Sequence, residues 1–316
     1  MKPRLLLLSA VALTGILLPV SSAHAQLARE LGLLDNGNAD GVKAAAAVLP
    51  TESGFALAQL RNERVLDARV ETRFRIKQLF HERGIRYPAA EVFLRIFKRE
   101  RSLELWVRSD RGDEFALLKT YAICALAGEL GPKRRQGDTQ VPEGFYQIDF
   151  FNPVSEYHLS LHLDYPNRYD RMSGGPDVNL GGDIFIHGGC NSEGCLALTD
   201  DGIKELYWIA VEARAVGQER IPVHIFPARL QEEDLQLMKT AFADRPGIGE
   251  FWDSLKPVYD YFEEHRRLPV VTVDAGGAYN VNGTPTGMPI GRAAVSPTDS
   301  TRKATVPAPL GRPVGG

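Results

Sequence analysis

At 316 residues, with 37 Lys and Arg against 40 Asp and Glu, the chain carries a formal net charge of −3 and no basic block, which gives no reason to expect nucleic acid as a partner. Its cysteines, Cys124, Cys190 and Cys195, are too few to build a disulfide scaffold. Their odd number leaves at least one thiol free or bridged to another chain.

In chain order, Lys2 and Arg4 precede an apolar run from Leu5 to Val20, and Ala23-His24-Ala25 matches a signal-peptidase site. The run is too short for a comfortable membrane span, so residues 1–25 are read as a cleaved signal peptide and the mature chain as exported. No later segment is apolar enough to span a bilayer. Gln26 to Pro50 lacks a strong period, apart from a short helix expected over Leu27–Leu34. Leu57 to Arg83 reads as one helix, with Leu60, Leu66, Val70, Phe74, Lys77 and Phe80 on a stripe and Gly84 as its stop.

Strands are expected at Glu91–Phe97, Leu103–Val107, Glu114–Cys124 and Gly144–Phe150. Tyr157–Leu163 alternates, with Tyr157, Leu159, Leu161 and Leu163 on one face and His158, Ser160 and His162 on the other. Gly182–His187 is a short buried strand. Thr199 is placed to cap a helix running through Ile203, Leu206, Tyr207, Ala210, Val211 and Arg214 to Gly217. Ile221–Pro227 reads as a closing edge strand, because Pro222 cannot donate to a ladder. Leu230–His265 is helical in two pieces split near Pro246-Gly247, and residues 269–316 form a disordered Pro/Gly-rich tail. The domains expected are residues 26–90 (helical), 91–228 (catalytic), 229–268 (a helical extension) and 269–316 (tail).

The chemistry concentrates in His187-Gly188-Gly189-Cys190-Asn191-Ser192-Glu193-Gly194-Cys195. A cysteine attacks acyl carbons as its thiolate and needs a neighbour that takes its proton. A glycine-rich loop can fold His187 back onto Cys195, and Gly194 leaves nearby backbone N–H groups open to an oxyanion. Two other readings compete at this point: a Cys190–Cys195 disulfide, and a metal or redox site using Cys190, Cys195 and His187 or His224.

The order of motifs resembles the YkuD-type L,D-transpeptidases, in their YafK-like branch. The resemblance rests on Ile186-His187-Gly188 and Ser192-x-Gly194-Cys195, on Leu130-Gly131-Pro132-Lys133, and on Thr139 to Tyr146. Asn152-Pro153 and Tyr165-Pro166-Asn167 fit as well, so the likeness covers about Val92 to Pro227. Glu193 stands where most members have His, and Leu196-Ala197 where most have an apolar residue and then Arg or Asn. The His-to-Cys spacing is about half the usual one, and the YafK-like branch shares these departures.

The resemblance implies an α+β, mainly β fold, an L,D-transpeptidase-like β-sandwich with flanking N- and C-terminal helices. It implies a periplasmic enzyme that needs no cofactor, with Cys195 as nucleophile and His187 as base. The substrate would be a peptidoglycan stem peptide. The acyl group would pass to an amine, or to water, in which case a peptidoglycan-linked lipoprotein is released. Gly194 and Ser192 are assigned to the catalytic loop, and His158, His162, Gly188, Gly189 and Lys133 to substrate binding. Cys190 is either a bystander thiol or the disulfide partner of Cys124. The alternative from another class is a non-catalytic peptidoglycan-binding module.

Overall fold

In the computed structural model, which describes residues 54–282 and 284–286, the apolar strands of the middle of the chain join into one mixed sheet of nine strands. The signal peptide, the Leu27–Leu34 helix and the tail beyond residue 286 lie outside the described residues. β1 (Glu91–Phe97), β2 (Ser102–Arg108), β3 (Ala116–Ala122) and β4 (Ala125–Leu126) are followed by β5 (Gly144–Asn152) and β6 (Ser160–Leu163). β7 (Phe185–His187), β8 (Leu196–Ala197) and β9 (Ile221–Phe226) complete the sheet, in the order β3-β2-β1-β9-β5-β6-β7-β8-β4. β1 with β9 and β7 with β8 are parallel, and the other pairings are antiparallel.

The central strands are buried on both faces, which is why they read as continuous apolar runs. Val92, Leu94 and Ile96 join a core shared with α1 (Gly54–Leu60), α2 (Glu63–Glu82) and α4 (Asp200–Ala215). The short α3 (Arg168–Gly174) lies between β6 and β7 in the chain. On the opposite face Phe97 and Phe226 pack with α5 (Glu232–Ala241) and α6 (Ile248–His265). This is the expected α+β architecture with N- and C-terminal helices flanking a β-rich body.

Four sequence expectations need correction. The Leu57–Arg83 helix breaks at Arg61-Asn62, because Asn62 takes an extended conformation and its side chain caps α2 by accepting from the Arg64 N–H. The face α2 buries is Val65, Ala68, Thr72, Ile76 and Phe80, whereas Val70 and Phe74 are 54% and 80% exposed. Small Ala68 and Thr72 belong to the true stripe, and a search for large apolar residues misses them.

β9 is central rather than an edge. Its ladder to β1 begins at Val223, so the donor that Pro222 lacks is not needed on that side. The tail is ordered through its first part, where β10 (Val271–Val273), β11 (Tyr279–Val281) and β12 (Thr284–Thr286) form a small antiparallel sheet. Tyr279 anchors it, stacked on Tyr169 with ring centroids 4.3 Å apart, an aromatic contact invisible in a Gly-rich composition.

One buried ion pair shapes the segment beneath the site. Lys98 and Glu143, both fully buried, meet at 2.9 Å. The Lys98 ammonium also donates to the carbonyls of Gly131 (2.8 Å) and Val141 (2.9 Å). Glu143 accepts from the Gly131 N–H (2.7 Å) and from the Trp252 indole (2.9 Å). Every proton of the ammonium is matched, so removing one partner strands a buried charge. Glu143→Leu is expected to lower stability by about 3–5 kcal/mol in chemical denaturation. Adding Lys98→Met should recover most of that loss, and a loss under 1 kcal/mol for the single change would refute the account.

Candidate active site

The site is built on the short strands at one end of the sheet. Ser160 pairs with His187, Leu161 with Ile186 and His162 with Phe185 across β6 and β7. Ile186 pairs with Leu196 and His187 with Ala197 across β7 and β8. Side chains alternate along a strand and paired residues share a face. Leu161, Ile186 and Leu196 therefore point into the core, where all are fully buried. Ser160, His162, Phe185 and His187 point the other way. Carried back one residue past the ladder, the β7–β8 register sets Cys195 opposite Phe185 and diagonal to His187.

The loop Gly188 to Cys195 makes this possible. Gly188 is pressed against its surroundings: an added Cβ would come within 2.6 Å of Asp200 Oδ1 and 3.0 Å of the Tyr157 carbonyl. The Gly188 N–H donates to the Tyr157 carbonyl (3.1 Å) and the Gly189 N–H to Asp200 Oδ1 (2.9 Å). These two glycines, expected to bind substrate, thus bind the loop to the Tyr157 turn and the start of α4. Gly194 has φ of +129°, a region that favours glycine, with the Thr139-Gln140 backbone against it. Ser192 Oγ donates to the Cys195 carbonyl (2.7 Å) and accepts from the Gly194 N–H (3.3 Å). Ser192 closes the turn before Cys195, and the Gly194 N–H is shared with it.

Cys190 is bonded to Cys124, and Cys195 is the free cysteine. Neither the Cys190–Cys195 bridge nor a metal set containing Cys190 is formed. The Cys124 N–H donates to the Ala197 carbonyl (2.9 Å), so the disulfide staples the loop to the strand edge beside β8.

His187 is 3% exposed and stacks on Tyr157, centroids 4.7 Å apart. Its Nδ1 lies 2.6 Å from the Gly188 carbonyl. A carbonyl only accepts, so Nδ1 carries the proton and Nε2 the lone pair. Burial lowers the His187 pKa and the Gly188 carbonyl partly offsets this. The Cys195 Sγ donates to the Asp183 carbonyl at 3.6 Å. Burial raises the thiol pKa; the Phe185 backbone lowers it, the nearby Asp183 carboxylate raises it and Lys133 lowers it. Both shifts favour the neutral forms, a thiol at Cys195 and an imidazole at His187.

The remaining candidates divide. His162 is on the site face, its Nδ1 2.6 Å from Asp149 Oδ1. His158 is not: β6 begins only at Ser160, and His158 sits in a turn at φ +71° with its carbonyl bound by Arg64 (2.9 Å). Lys133 is 5% exposed, with its ammonium on Asp138 (2.5 Å) and the Arg135 carbonyl (2.9 Å). Its charge acts on Cys195 as a field, which lowers the thiol pKa. Tyr157, Asp183 and Asp200 were not singled out, and the sequence carries no signal of their contacts with the loop.

The description of the L,D-transpeptidase catalytic domain named YkuD matches residues 94–225. YafK of Escherichia coli, in two strains, is 39% identical over 193 residues, covering 60% of this chain and 74% of YafK. The chain belongs to the YkuD L,D-transpeptidase family. Among solved structures, the helical cell shape determining protein Pgp2 from Campylobacter jejuni aligns at 18% identity and a TM-score of 0.36, over 58% of this chain and 73% of Pgp2. Bd1075 of Bdellovibrio bacteriovorus aligns at 19% identity and a TM-score of 0.33, over 60% of this chain and 64% of Bd1075. Among the described residues of this family member, no helix is long and apolar enough to cross a membrane.

Two outcomes follow from this geometry. Replacing Cys124 and Cys190 together by Ser should lower stability by about 2–4 kcal/mol in denaturant titration; an unchanged midpoint would show that the staple contributes nothing. Alkylation of Cys195 by iodoacetamide in the native protein should rise with pH, because the thiolate forms only above the raised pKa. Its midpoint is expected above about 8.5, the ordinary thiol value, and a midpoint below that would contradict the burial argument.

Proposed function

We propose that this protein is a cysteine acyltransferase of peptidoglycan stem peptides, with Cys195 as nucleophile and His187 as base, working in the periplasm after export. The observation that supports the reading is the register of β7 and β8, Ile186 opposite Leu196 and His187 opposite Ala197, which carried back one residue sets Cys195 opposite Phe185 and diagonal to His187. Parallel strands lie about 4.8 Å apart and rise about 3.3 Å per residue. A diagonal pair on one face is therefore within reach of its two side chains.

In the reaction, Nε2 takes the proton of the Cys195 thiol as Sγ attacks the scissile carbonyl. The Cys195 N–H is the candidate donor to the oxyanion of the tetrahedral intermediate, since the Gly194 N–H is shared with Ser192 Oγ. The intermediate collapses as the imidazolium hands its proton to the leaving amine, and a thioester on Cys195 remains. An amine or water then attacks the thioester, Nε2 removes its proton, and the thiol is restored. With an amine the product is a new amide, and with water it is a free acid. In the second case a lipoprotein linked to peptidoglycan through such an amide would be released. The chain spans about three quarters of YafK, and 39% identity supports this reaction class.

Incubating isolated sacculi with the mature protein and analysing the muropeptides by mass spectrometry tests the proposal. Shortened, exchanged or lipoprotein-free peptides are expected. Cys195→Ala should reduce their formation at least about a thousandfold. Undiminished product with Cys195→Ala would overturn the assignment.

A further inference from the structure

One peptide unit of the site loop is gripped at both ends. The bond between Gly188 and Gly189 carries the carbonyl that lies 2.6 Å from His187 Nδ1 and the N–H that donates to Asp200 Oδ1 at 2.9 Å. A trans peptide points these two groups in opposite directions. A chain of hydrogen bonds therefore runs from the imidazole, through a single amide, to a carboxylate. The contact is close enough to exclude a side chain. A Cβ on Gly188 would stand 2.6 Å from Asp200 Oδ1 and 3.0 Å from the Ile203 side chain.

Asp200 is not spent on capping its own helix. Thr199 caps α4 by accepting from the Gly202 N–H, and Asp200 Oδ1 turns back onto the loop. Holding the loop needs only an acceptor, which a neutral amide carbonyl also supplies. A carboxylate adds charge. Hydrogen bonds in a chain polarise one another, so an anion at the N–H end makes the Gly188 carbonyl a stronger acceptor for Nδ1–H.

That strength counts when Nε2 takes the Cys195 proton. His187 then becomes an imidazolium, stacked on Tyr157, where burial opposes its charge. No proton crosses the chain: each N–H keeps its hydrogen, and both links tighten. The charged and titratable groups around Asp200 are Asp201 beside it, His158 in the Tyr157 turn, and Lys204 one turn along α4. Lys204 is paired with Glu71 at 2.7 Å.

We infer that Asp200 is a positioning residue for the His187–Cys195 pair, acting through the Gly188–Gly189 peptide to hold the His187 ring and to stabilise its protonated form. This rests on the reading of Cys195 as nucleophile and His187 as base.

Asp200→Asn keeps an acceptor for the Gly189 N–H and removes the charge. The readout is the titration of the His187 ring, followed by NMR in the full mature chain and assigned against His187→Gln. Without the anion the imidazolium is less stable, so the His187 pKa should fall by about half a unit. Muropeptide release at saturating sacculi should slow about tenfold, with the half-saturating amount of sacculi and the melting temperature unchanged. Asp200→Ala removes the acceptor as well and should lower the His187 pKa by at least as much. A His187 titration that stays in place in both variants would overturn the inference, whatever happens to the rate. A titration that moves as expected, in a protein whose wild type releases nothing from sacculi, would uphold the relay and count against the acyl-transfer reading.

Discussion

The site depends on a parallel pairing that the chain makes without a long crossover. Parallel neighbours ordinarily need a connection of about a dozen residues or more, commonly a helix. Here β7 and β8 are joined by Gly188–Cys195 alone. Two conditions permit it. The strands are very short, so the return path from His187 to the start of β8 is small. The loop also adopts left-handed backbone at Gly189, Cys190 and Gly194. Such a loop is strained at Cys190, where a Cβ is present, and it is held by contacts from outside: the disulfide to Cys124, the Asp200 carboxylate and the Tyr157 carbonyl. The price of bringing His187 and Cys195 onto one face is thus met by three separate elements of the fold.

Those elements rest on the two helical layers. Asp200 is available because Thr199 caps α4, its side chain accepting from the Gly202 N–H at 3.1 Å. α4 is fixed in turn by α2, through a shared core and through Glu205, which is 1% exposed and binds Arg75, Lys119 and the Tyr121 hydroxyl. From the other face, α6 holds Glu143 through Trp252, and Glu143 with Lys98 holds the segment from Gly131 to Val141. The Thr139-Gln140 backbone of that segment is what Gly194 lies against. The helices before and after the β-rich body are therefore part of the site's support.

The His187–Cys195 motif was legible because it needs only residue types and glycine spacing, and the strands were legible because sheet burial writes itself as apolar runs. The capped helix at Thr199 and the break at Pro246-Gly247 follow from local rules, and both occur as read. What escaped was set by tertiary partners. Ser192 was assigned to the catalytic loop, and its hydroxyl is claimed by the turn it sits in. Lys133 was assigned to substrate binding, but its ammonium is buried on Asp138. His158 and His162 looked equivalent by alternation, yet a turn at positive φ takes His158 off the strand. Asp149 had no mark at all, because a bulge shows only where a partner strand reveals the lost register.

The disulfide also bears on how the Cys195 thiol stays free. Cys190 stands five positions before Cys195 in the same loop, and a free Cys190 would be the nearest competitor for that sulfur. Bonding Cys190 to Cys124, across a sequence separation of 66, removes the competitor and leaves Cys195 alone. Oxidants attack thiolates far faster than thiols. Burial favours the Cys195 thiol over its thiolate, and the thiol is the slower form toward them. In the proposed reaction His187 is the base, with a proton-free Nε2, because the Gly188 carbonyl occupies Nδ1 and burial opposes the imidazolium. Reactivity is then conditional on a carbonyl being present to accept the sulfur as the proton leaves. The same burial that makes the thiol sluggish alone strengthens the electrostatic reward for moving its charge onto a bound substrate.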